Sequence, residues 1–422
     1  MSSFSWQQIV AERVVIERLG AAGDGVAGGA YVADALPGEV VDIERDGSRG
    51  CVVARHGASP ERVEPFCPYF GRCGGCVAQH MSPALYGSWK RDKLAGALRG
   101  AGLAVAPGDL ADGHGAGRRR VVFHAREVDG RMAVGFMAAR SHELVPIADC
   151  PITVRRLGPA AVDAAAALAA PLRGLRKPLD VAIVATDAGL DVDIRGTGRL
   201  DEARRQRLIG LAGELDLARL SIHGEALIER RKPLVVAGRA QIRPPPGGFL
   251  QPTEAGEAIL AGLVTSACAG ARRVADLFAG SGAFSLRLAE FATVHAVEAD
   301  APSVAALDAA ARAAPGLRAV TTERRDLFRR PLLGPEIARF DAVVLDPPRA
   351  GAEAQVRQLA SAAIPLVVMV SCDPGTFARD AATLVAGGMA LESVVPVDQF
   401  KWSAHLEIVG IFRRETAGRR RR

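Results

Sequence analysis

A cysteine and a carboxylate each lie directly after an apolar segment, where they could do chemistry together. Cys372 follows the apolar run 365–371, and Asp346 follows the run 342–345. Both runs predict buried parallel strands, and ligands bind at the carboxyl edge of such sheets. Glu407 lies in the next predicted pair of strands. The sequence therefore predicts a nucleophile, a strand-end carboxylate and a base in one crevice.

A glycine-rich turn at 276–282 (DLFAGSG) follows a predicted strand and opens a predicted helix. Glycine lets the backbone approach a bound cofactor closely. The dinucleotide fingerprint would have a third glycine at position 285, which is Ser285 here, so a pyrophosphate site is disfavoured. Glu298 ends the next strand, where a carboxylate can accept hydrogen bonds from both ribose hydroxyls. These features favour an S-adenosylmethionine site, with a dehydrogenase or a degenerate site as the alternative.

Four of the seven cysteines have a spacing typical of metal binding. Cys67, Cys73 and Cys76 lie within ten residues, and Cys150 follows 74 residues after Cys76. Four thiolates can hold zinc or an iron–sulfur cluster. Zinc ribbons usually have two C-x-x-C knuckles, and this segment has one. The spacing favours a cluster and leaves zinc open.

The patterning divides the 422 residues into four parts. Short strand-like runs separated by glycines predict an OB-like β-barrel over 1–60. The mixed α/β segment 61–245 carries the cysteines and a helix within 82–105, and a proline-rich stretch ends it. Strand–helix alternation over 246–415 predicts an α/β domain with a parallel sheet and helices on both faces. A basic tail follows at 416–422.

Apolar runs place the individual elements of the α/β part. A hairpin is predicted over 118–148, with its turn at Asp129 and Gly130. The predicted strands of the last part, with one intervening helix at 303–314, are 271–277, 293–297, 317–321, 342–345 and 366–370.

The charge balance favours a nucleic-acid partner. The net charge is +6 and the isoelectric point is near 9.1, which suits an anionic partner. The start of the sequence does not have the pattern of a signal peptide, and no apolar run reaches about 18 residues. We therefore expect a cytoplasmic protein that does not associate with membranes, and we expect a monomer.

Five motifs in a fixed order over more than 300 residues resemble the RNA 5-methyluridine (uracil-C5) methyltransferases of the RumA/TrmA type. The motifs are 67–76 (CPYFGRCGGC), 276–282 (DLFAGSG), 346–351 (DPPRAG), 370–380 (VSCDPGTFARD) and 405–407 (HLE). The first 60 residues are similar to the TRAM domain of that family, an RNA-binding barrel. The resemblance implies a class I, Rossmann-like methyltransferase domain and a central iron–sulfur α+β domain.

The resemblance also implies a set of site residues. Cys372 and Glu407 are the catalytic pair, and a 4Fe–4S cluster binds Cys67, Cys73, Cys76 and Cys150. The helix within 82–105 packs on the catalytic domain. The positions that match the active-site glutamine and the S-adenosylmethionine contacts of the family are Gln251, Phe278, Gly280, Gly282, Glu298, Asp326 and Asp346.

The chemistry of uracil methylation explains the need for these residue types. Uracil C5 is a poor nucleophile until a thiolate adds at C6, which is covalent catalysis. C5 then attacks the methyl group, and Glu407 removes the C5 proton. Cys372 must be partly ionised, and we expect the helix opening at 376–379 to lower its thiol pKa. Gln251 and Asp346 are candidates to hold the uracil edge.

The predicted function is S-adenosylmethionine-dependent formation of 5-methyluridine in 23S rRNA. The cluster and the barrel together favour the ribosomal branch of the family over the tRNA branch. The alternatives are the same reaction on tRNA, a catalytically silent iron–sulfur RNA-binding protein, and an amino-group methyltransferase. RNA contacts are expected from Phe123, His124, Phe136 and the arginines at 118–120, although a solvated basic face explains those arginines equally well.

Overall fold

The computed structural model describes residues 11–174 and 178–414. It separates the chain into two compact units. The first combines the chain up to Lys93 with Ala138–Ser141 and Trp402–Ala404, and the second contains the other segments. The predicted basic tail at 416–422 lies outside the described residues. The predicted boundaries after residues 60 and 245 stay predictions.

The first unit contains a six-stranded sheet in the order β1-β5-β6-β4-β3-β2. Val41 and Ile43 of this sheet are buried and pack with Ile16 and Val32, so alternate residues form its core. Whether this sheet is a TRAM barrel stays a prediction. Its strands are β1 (Glu12–Val15), β2 (Arg18–Leu19), β3 (Gly25–Ala27), β4 (Ala30–Val32), β5 (Val40–Asp46) and β6 (Arg49–Gly57).

Helix α1 (Pro83–Gly100) precedes a second sheet of seven strands, ordered β13-β12-β11-β10-β7-β8-β9. Strands β7 and β8 form the predicted hairpin, and both turn residues, Asp129 and Gly130, have a positive φ. The elements of this region are β7 (Arg120–Val128), β8 (Arg131–Met137), β9 (Leu144–Pro146), α2 (Pro159–Ala169), β10 (Leu179–Thr186), β11 (Gly189–Arg195), α3 (Glu202–Glu214), β12 (Arg219–Ile222), β13 (Glu225–Glu229), β14 (Val235–Ala237) and β15 (Ala240–Ile242).

A third sheet of seven strands, in the order β18-β17-β16-β19-β20-β22-β21, carries the candidate site. Its first five strands are mutually parallel, and β22 is antiparallel to both neighbours. The elements are α4 (Glu254–Ala267), β16 (Arg273–Leu277), α5 (Ser285–Leu288), β17 (Thr293–Glu298), α6 (Ala301–Ala313), β18 (Val320–Arg324), α7 (Gly334–Ile337), β19 (Ala342–Leu345), α8 (Glu353–Ser361), β20 (Leu366–Ser371), α9 (Pro374–Ala386), β21 (Met389–Val397) and β22 (Glu407–Arg414).

Helices cover both faces of this third sheet. Val343 and Leu345 belong to one core cluster, and Val344 belongs to the cluster on the other face. A strand that is buried on both sides is apolar throughout, which is why its sequence could be recognised. Leu94 and Leu98 of α1 pack in the same cluster as Val343.

Four of the five predicted strands of this sheet lie within two residues of their observed bounds, and one is displaced. The third was predicted at 317–321, but the ladder begins at Val320, which pairs with Val294. Leu317 packs against the core although its backbone is outside the strand, so its apolar side chain misled the prediction. No helix in the described ranges is long and apolar enough to cross a membrane.

Candidate active site at the carboxyl edge of the sheet

Strand direction brings the predicted catalytic residues to one edge of the third sheet. The parallel strands β19 and β20 end there, which places Asp346 and Cys372 just beyond their last residues. Strand β22 runs the other way, so its first residue, Glu407, lies at the same edge. Ser371 pairs with Ile408, and Cys372 and Glu407 are the next residues on these neighbouring strands. The strand order reverses between β16 and β19, where α/β sheets form a ligand crevice.

A cavity of about 750 Å³ opens at this edge. Cys372 and Glu407 line it, together with six of the seven predicted cofactor positions: Gln251, Phe278, Gly280, Glu298, Asp326 and Asp346. Gly282 is the exception. It has a φ of +97°, and an added Cβ would overlap the Leu307 side chain. Gly282 therefore permits close packing of α6 against the turn.

The cavity fits S-adenosylmethionine in size and in the chemistry of its walls. Phe278 has a φ of +61°, and its ring centroid lies 5.4 Å from that of Phe328. The Glu298 carboxylate accepts a hydrogen bond of 3.0 Å from the Gly280 N–H, which fixes it at the end of β17. The Ser281 hydroxyl also lines the cavity and is buried without a partner among the described residues. The roles of these residues toward the cofactor stay predictions.

Glu407 has the electrostatics of a general base. Its side chain is buried, and burial raises the pKa of its carboxyl to about 7. A hydrogen bond from Gln399 and the charge on Arg349 act in the opposite direction but do not cancel the effect of burial. A carboxylate that titrates near neutrality is suited to proton abstraction.

The thiol of Cys372 does not have the lowered pKa expected from the sequence. Burial, with a further contribution from Glu407, raises the pKa of this thiol to about 11. Helix α9 does begin directly after it, but the Asp373 side chain caps the helix and accepts from the N–H groups of Gly375 and Thr376. The positive end of the helix dipole thus lies beside a carboxylate as well as the thiol, and it does not outweigh the effect of burial on the thiol pKa.

Asp346 and Gln251 face each other beside this pair. Burial raises the pKa of Asp346 well above its usual value, and the charges of Glu407 and Asp276 add to the effect. The amide of Gln251 donates to Asp346 at 3.4 Å. Because Gln251 is itself buried, its orientation determines which groups the cavity presents.

A buried arginine, Arg119, holds the backbone of Gln251. Arg119 Nε donates to the Gln251 carbonyl at 3.1 Å, and the same guanidinium pairs with Glu257. Arg119 was one of the candidate RNA contacts, but it is only 9% exposed. Phe123, another such candidate, is fully buried. Both predictions were wrong because each side chain is part of the protein interior.

The predicted cluster ligands are divided between the two units. Cys67, Cys73 and Cys76 lie in the first unit and Cys150 in the second, and all four are half-buried. The N–H of Gly75 points to the Cys73 sulfur at 3.4 Å. Among the described residues, no group of three or more His, Cys, Asp or Glu side chains is arranged to hold a metal.

The motif analysis gave no role at the site to two residues that lie beside it, Gln399 and Arg349. Gln399 follows β21, whose carboxyl end lies at the catalytic edge. It is fully buried and donates to the Gln251 side chain at 2.7 Å. The available signal was a polar residue after the apolar run 394–397, the same signal that identified Cys372 and Asp346.

Comparison with known proteins places this site in a family. Residues 219–415 match the family model for tRNA (uracil-5-)-methyltransferase. An uncharacterised RNA methyltransferase of Brucella suis is 45% identical over 94% of this chain and 97% of that relative. The 23S rRNA (uracil(1939)-C(5))-methyltransferase RlmD of Chromohalobacter salexigens is 35% identical over 96% of this chain and 90% of that protein. The chain belongs to the RNA uracil-5-methyltransferase family and is an S-adenosylmethionine-dependent enzyme.

A solved structure supports the fold. The tRNA (uracil-54, C5)-methyltransferase of Pyrococcus abyssi, in complex with S-adenosyl-L-homocysteine, superimposes with a TM-score of 0.74. The match covers 95% of this chain and 99% of that one, at 21% identity. The predicted class I methyltransferase fold is confirmed.

Proposed function

We propose that this enzyme forms 5-methyluridine in 23S rRNA through a covalent adduct between Cys372 and C6 of the target uracil. The main observation behind the proposal is that Cys372 and Glu407 lie next to each other at the ends of neighbouring antiparallel strands. Both line one cavity with Gln251 and Asp346. A buried base with a pKa near 7 beside a thiol is what proton abstraction after thiol addition requires.

The residues divide the reaction into two stages. The Cys372 thiol gives its proton to solvent, its sulfur bonds to C6, and the electron pair of the C5–C6 double bond becomes available at C5. S-adenosylmethionine, when bound, supplies the methyl group that C5 takes. Glu407 then removes the C5 proton, the C5–C6 double bond forms again, and the thiolate leaves. Gln251 and Asp346 hold the uracil edge, where hydrogen bonds to O4 stabilise the negative charge.

The choice of 23S rRNA rests on the relative from Chromohalobacter, which is a 23S rRNA (uracil(1939)-C(5))-methyltransferase and which this chain matches over 90% of its length. A tRNA substrate is the second candidate, because the matching family model is named for tRNA. A target base must leave its stack to reach a buried site, so the RNA binds with that uridine turned out.

A covalent trap tests the mechanism and names the substrate. Glu407→Gln, purified anaerobically, is mixed with S-adenosylmethionine and total cellular RNA, and RNA that stays on the protein through denaturing electrophoresis is sequenced. The expected result is an adduct with a 23S rRNA segment that disappears in the Cys372→Ala, Glu407→Gln double variant.

Other results of the trap would change the proposal. A tRNA adduct would replace the substrate. If no adduct forms while the wild type methylates RNA, the thiol mechanism or the assignment of Glu407 is wrong, and the amino-group methyltransferase is favoured. If the wild type binds RNA but transfers no methyl group, the chain is a silent RNA-binding protein.

We further propose that Cys67, Cys73, Cys76 and Cys150 hold a 4Fe–4S cluster, as the resemblance of the 67–76 segment implies. Three thiols on one short loop and a backbone N–H aimed at the Cys73 sulfur support the proposal. Anaerobic purification followed by iron, sulfide and zinc analysis tests it. About four irons and four sulfides per chain are expected, with loss in Cys76→Ser. One zinc without sulfide would establish a zinc site.

A further inference from the structure

Gln399 occupies a tightly defined place behind the catalytic cavity. It lies two residues beyond Val397, and Val397 pairs directly with Glu407 across β21 and β22. Its side chain is fully buried and does not line the cavity. A Cβ added to Gly256 would come within 2.5 Å of the Gln399 Cβ. The side chain therefore has little freedom, and it can act only through its neighbours.

The amide of Gln399 joins two residues of the site. Its Nε2 donates to Gln251 Oε1 at 2.7 Å, and its side chain is also close enough to the Glu407 carboxylate to lower the pKa of that group. Since a carboxylate and an amide oxygen are both acceptors, the –NH₂ group of Gln399 must face both of them. Gln251 is then oriented with its own –NH₂ group toward Asp346.

This orientation leaves one buried polar atom of Gln399 without a hydrogen bond. The Gln399 Oε1 atom is buried and has no hydrogen-bond partner among the described residues. A buried amide oxygen without a partner is uncommon in native proteins and calls for a reason. Turning the amide would place this oxygen against two other acceptors, which would cost more. The interior thus retains one unsatisfied oxygen so that both amide protons serve Glu407 and Gln251.

We propose that Gln399 is a positioning residue for the removal of the C5 proton, because its amide fixes the Glu407 carboxylate and orients Gln251 toward the target uracil. The inference rests on the proposed function, since Glu407 must be the base for Gln399 to act through it. Gln399 is absent from the motifs that define the family resemblance, and its contacts emerge only from the fold.

The groups around Glu407 determine how its pKa responds when Gln399 is removed. Asp346 and Cys372 face Glu407 from the ends of β19 and β20, and the Arg349 guanidinium lies in the loop after β19. Gln399 and Arg349 are the groups that lower the pKa of Glu407. Without Gln399, the pKa of Glu407 rises further, and less of it is ionised at a given pH.

The test compares two buried glutamines replaced by methionine, which keeps the length of the side chain and removes both amide contacts. Gln399→Met is the test variant. Gln355→Met is the matched control, because Gln355 is also fully buried and bonds twice to the backbone of Leu332, away from the cavity. Two quantities are measured. The first is the rate of tritium release from RNA carrying [5-³H]uridine between pH 5.5 and 9.5. The second is the amount of covalent protein–RNA adduct formed on uridine RNA.

The expected result is specific to Gln399. In Gln399→Met the acidic limb of the pH–rate profile for tritium release moves to higher pH. A hydrogen bond to a charged group corresponds to about one pKa unit, so the rate falls on the order of tenfold at pH 6.5 and far less at pH 9. The methylated adduct on uridine RNA accumulates in Gln399→Met. In Gln355→Met the limb stays in place, although the protein unfolds at a lower temperature.

RNA carrying 5-fluorouridine separates failure of this inference from failure of the proposed function. Cys372 bonds to C6 and C5 gains the methyl group, but fluorine cannot leave as a cation, so the adduct persists without any base. Wild type and Gln399→Met should both form it. No such adduct in the wild type would overturn the proposed function. A normal fluorouridine adduct with an equal loss of tritium release at every pH in Gln399→Met would overturn the positioning role.

Discussion

Two buried glutamates of this protein have opposite surroundings and opposite pKa shifts. Glu39, in the first unit, is fully buried and accepts from Arg55, from Arg62 and from the N–H groups of Leu36 and Ser59. Burial alone would raise its pKa, but the hydrogen bonds from Arg62 and from the backbone outweigh burial and lower it. The surroundings of Glu39 therefore stabilise its charged form.

Glu407 is almost as buried, but the group that stabilises its charged form at close range is the neutral amide of Gln399. Its pKa therefore rises where that of Glu39 falls. The comparison shows that burial raises the pKa of a carboxylate when no guanidinium group donates to it directly, even with the charge of Arg349 nearby. The charged form of Glu407 is less stabilised than that of Glu39, so the Glu407 carboxyl can take up and release a proton near pH 7.

The largest expected difference between the two glutamates concerns stability. Glu39→Gln should lower the free energy of unfolding by about 3 kcal/mol, because it removes the buried carboxylate shared by two partly buried guanidinium groups and leaves them only the exposed Asp34. Denaturant unfolding followed by circular dichroism measures this. Glu392→Gln, which removes an exposed ion pair with Arg413, is the control and should change stability by less than about 1 kcal/mol. An equal effect of both variants would contradict the structural role of Glu39.

The pH dependence of activity should follow Glu407. Its carboxylate must be ionised to accept the C5 proton, so tritium release should fall about tenfold per pH unit below the pKa near 7. Initial rates over pH 5–9 under saturating substrate measure this limb. A rate that stays constant down to pH 5 would show that the base has an ordinary carboxylate pKa and is not Glu407.

The stability effect of Glu407 should have the opposite sign. Its folded pKa is raised above the unfolded value, so its contribution to stability is present below about pH 4.5 and is lost as the pH rises through 7. Glu407→Gln should therefore stabilise the folded protein at pH 8 by about 1 kcal/mol and much less at pH 5. Thermal unfolding at the two pH values tests this, and equal shifts at both would argue against a titrating Glu407.

Arg349 offers the smallest and most selective test. It is exposed, and its charge lowers the pKa of both Glu407 and Cys372. Arg349→Met should move the acidic limb to slightly higher pH and reduce the rate at pH 6.5 by about threefold, because a screened surface charge acts weakly. Addition of salt should reproduce part of this shift in the wild type and none of it in the variant.

The sequence was sufficient for those site residues that follow fully apolar strands. Asp346 and Cys372 could be placed because 342–345 and 366–370 are buried throughout and contain no polar residue. Gln399 was not assigned, because its role depends on the pairing of β21 with β22. The arginine run 118–120 was ambiguous, since only the tertiary contact with Glu257 shows that Arg119 points inward. The thiol pKa of Cys372 was predicted in the wrong direction because the burial of the thiol is not visible in a motif.

The antiparallel direction of β22 has a consequence for how this site can vary between related chains. Cys372 and Glu407 are aligned by the ladder in which Ser371 opposes Ile408, and not by the length of the segment that joins them. Insertions in α9 or in the turn before β22 would leave the pair intact as long as that ladder is kept. A slip of one residue would instead turn Glu407 to the opposite face of the sheet and bring an apolar neighbour to the cavity. Alignment gaps in this family should therefore collect between positions 372 and 407 and avoid the strands themselves.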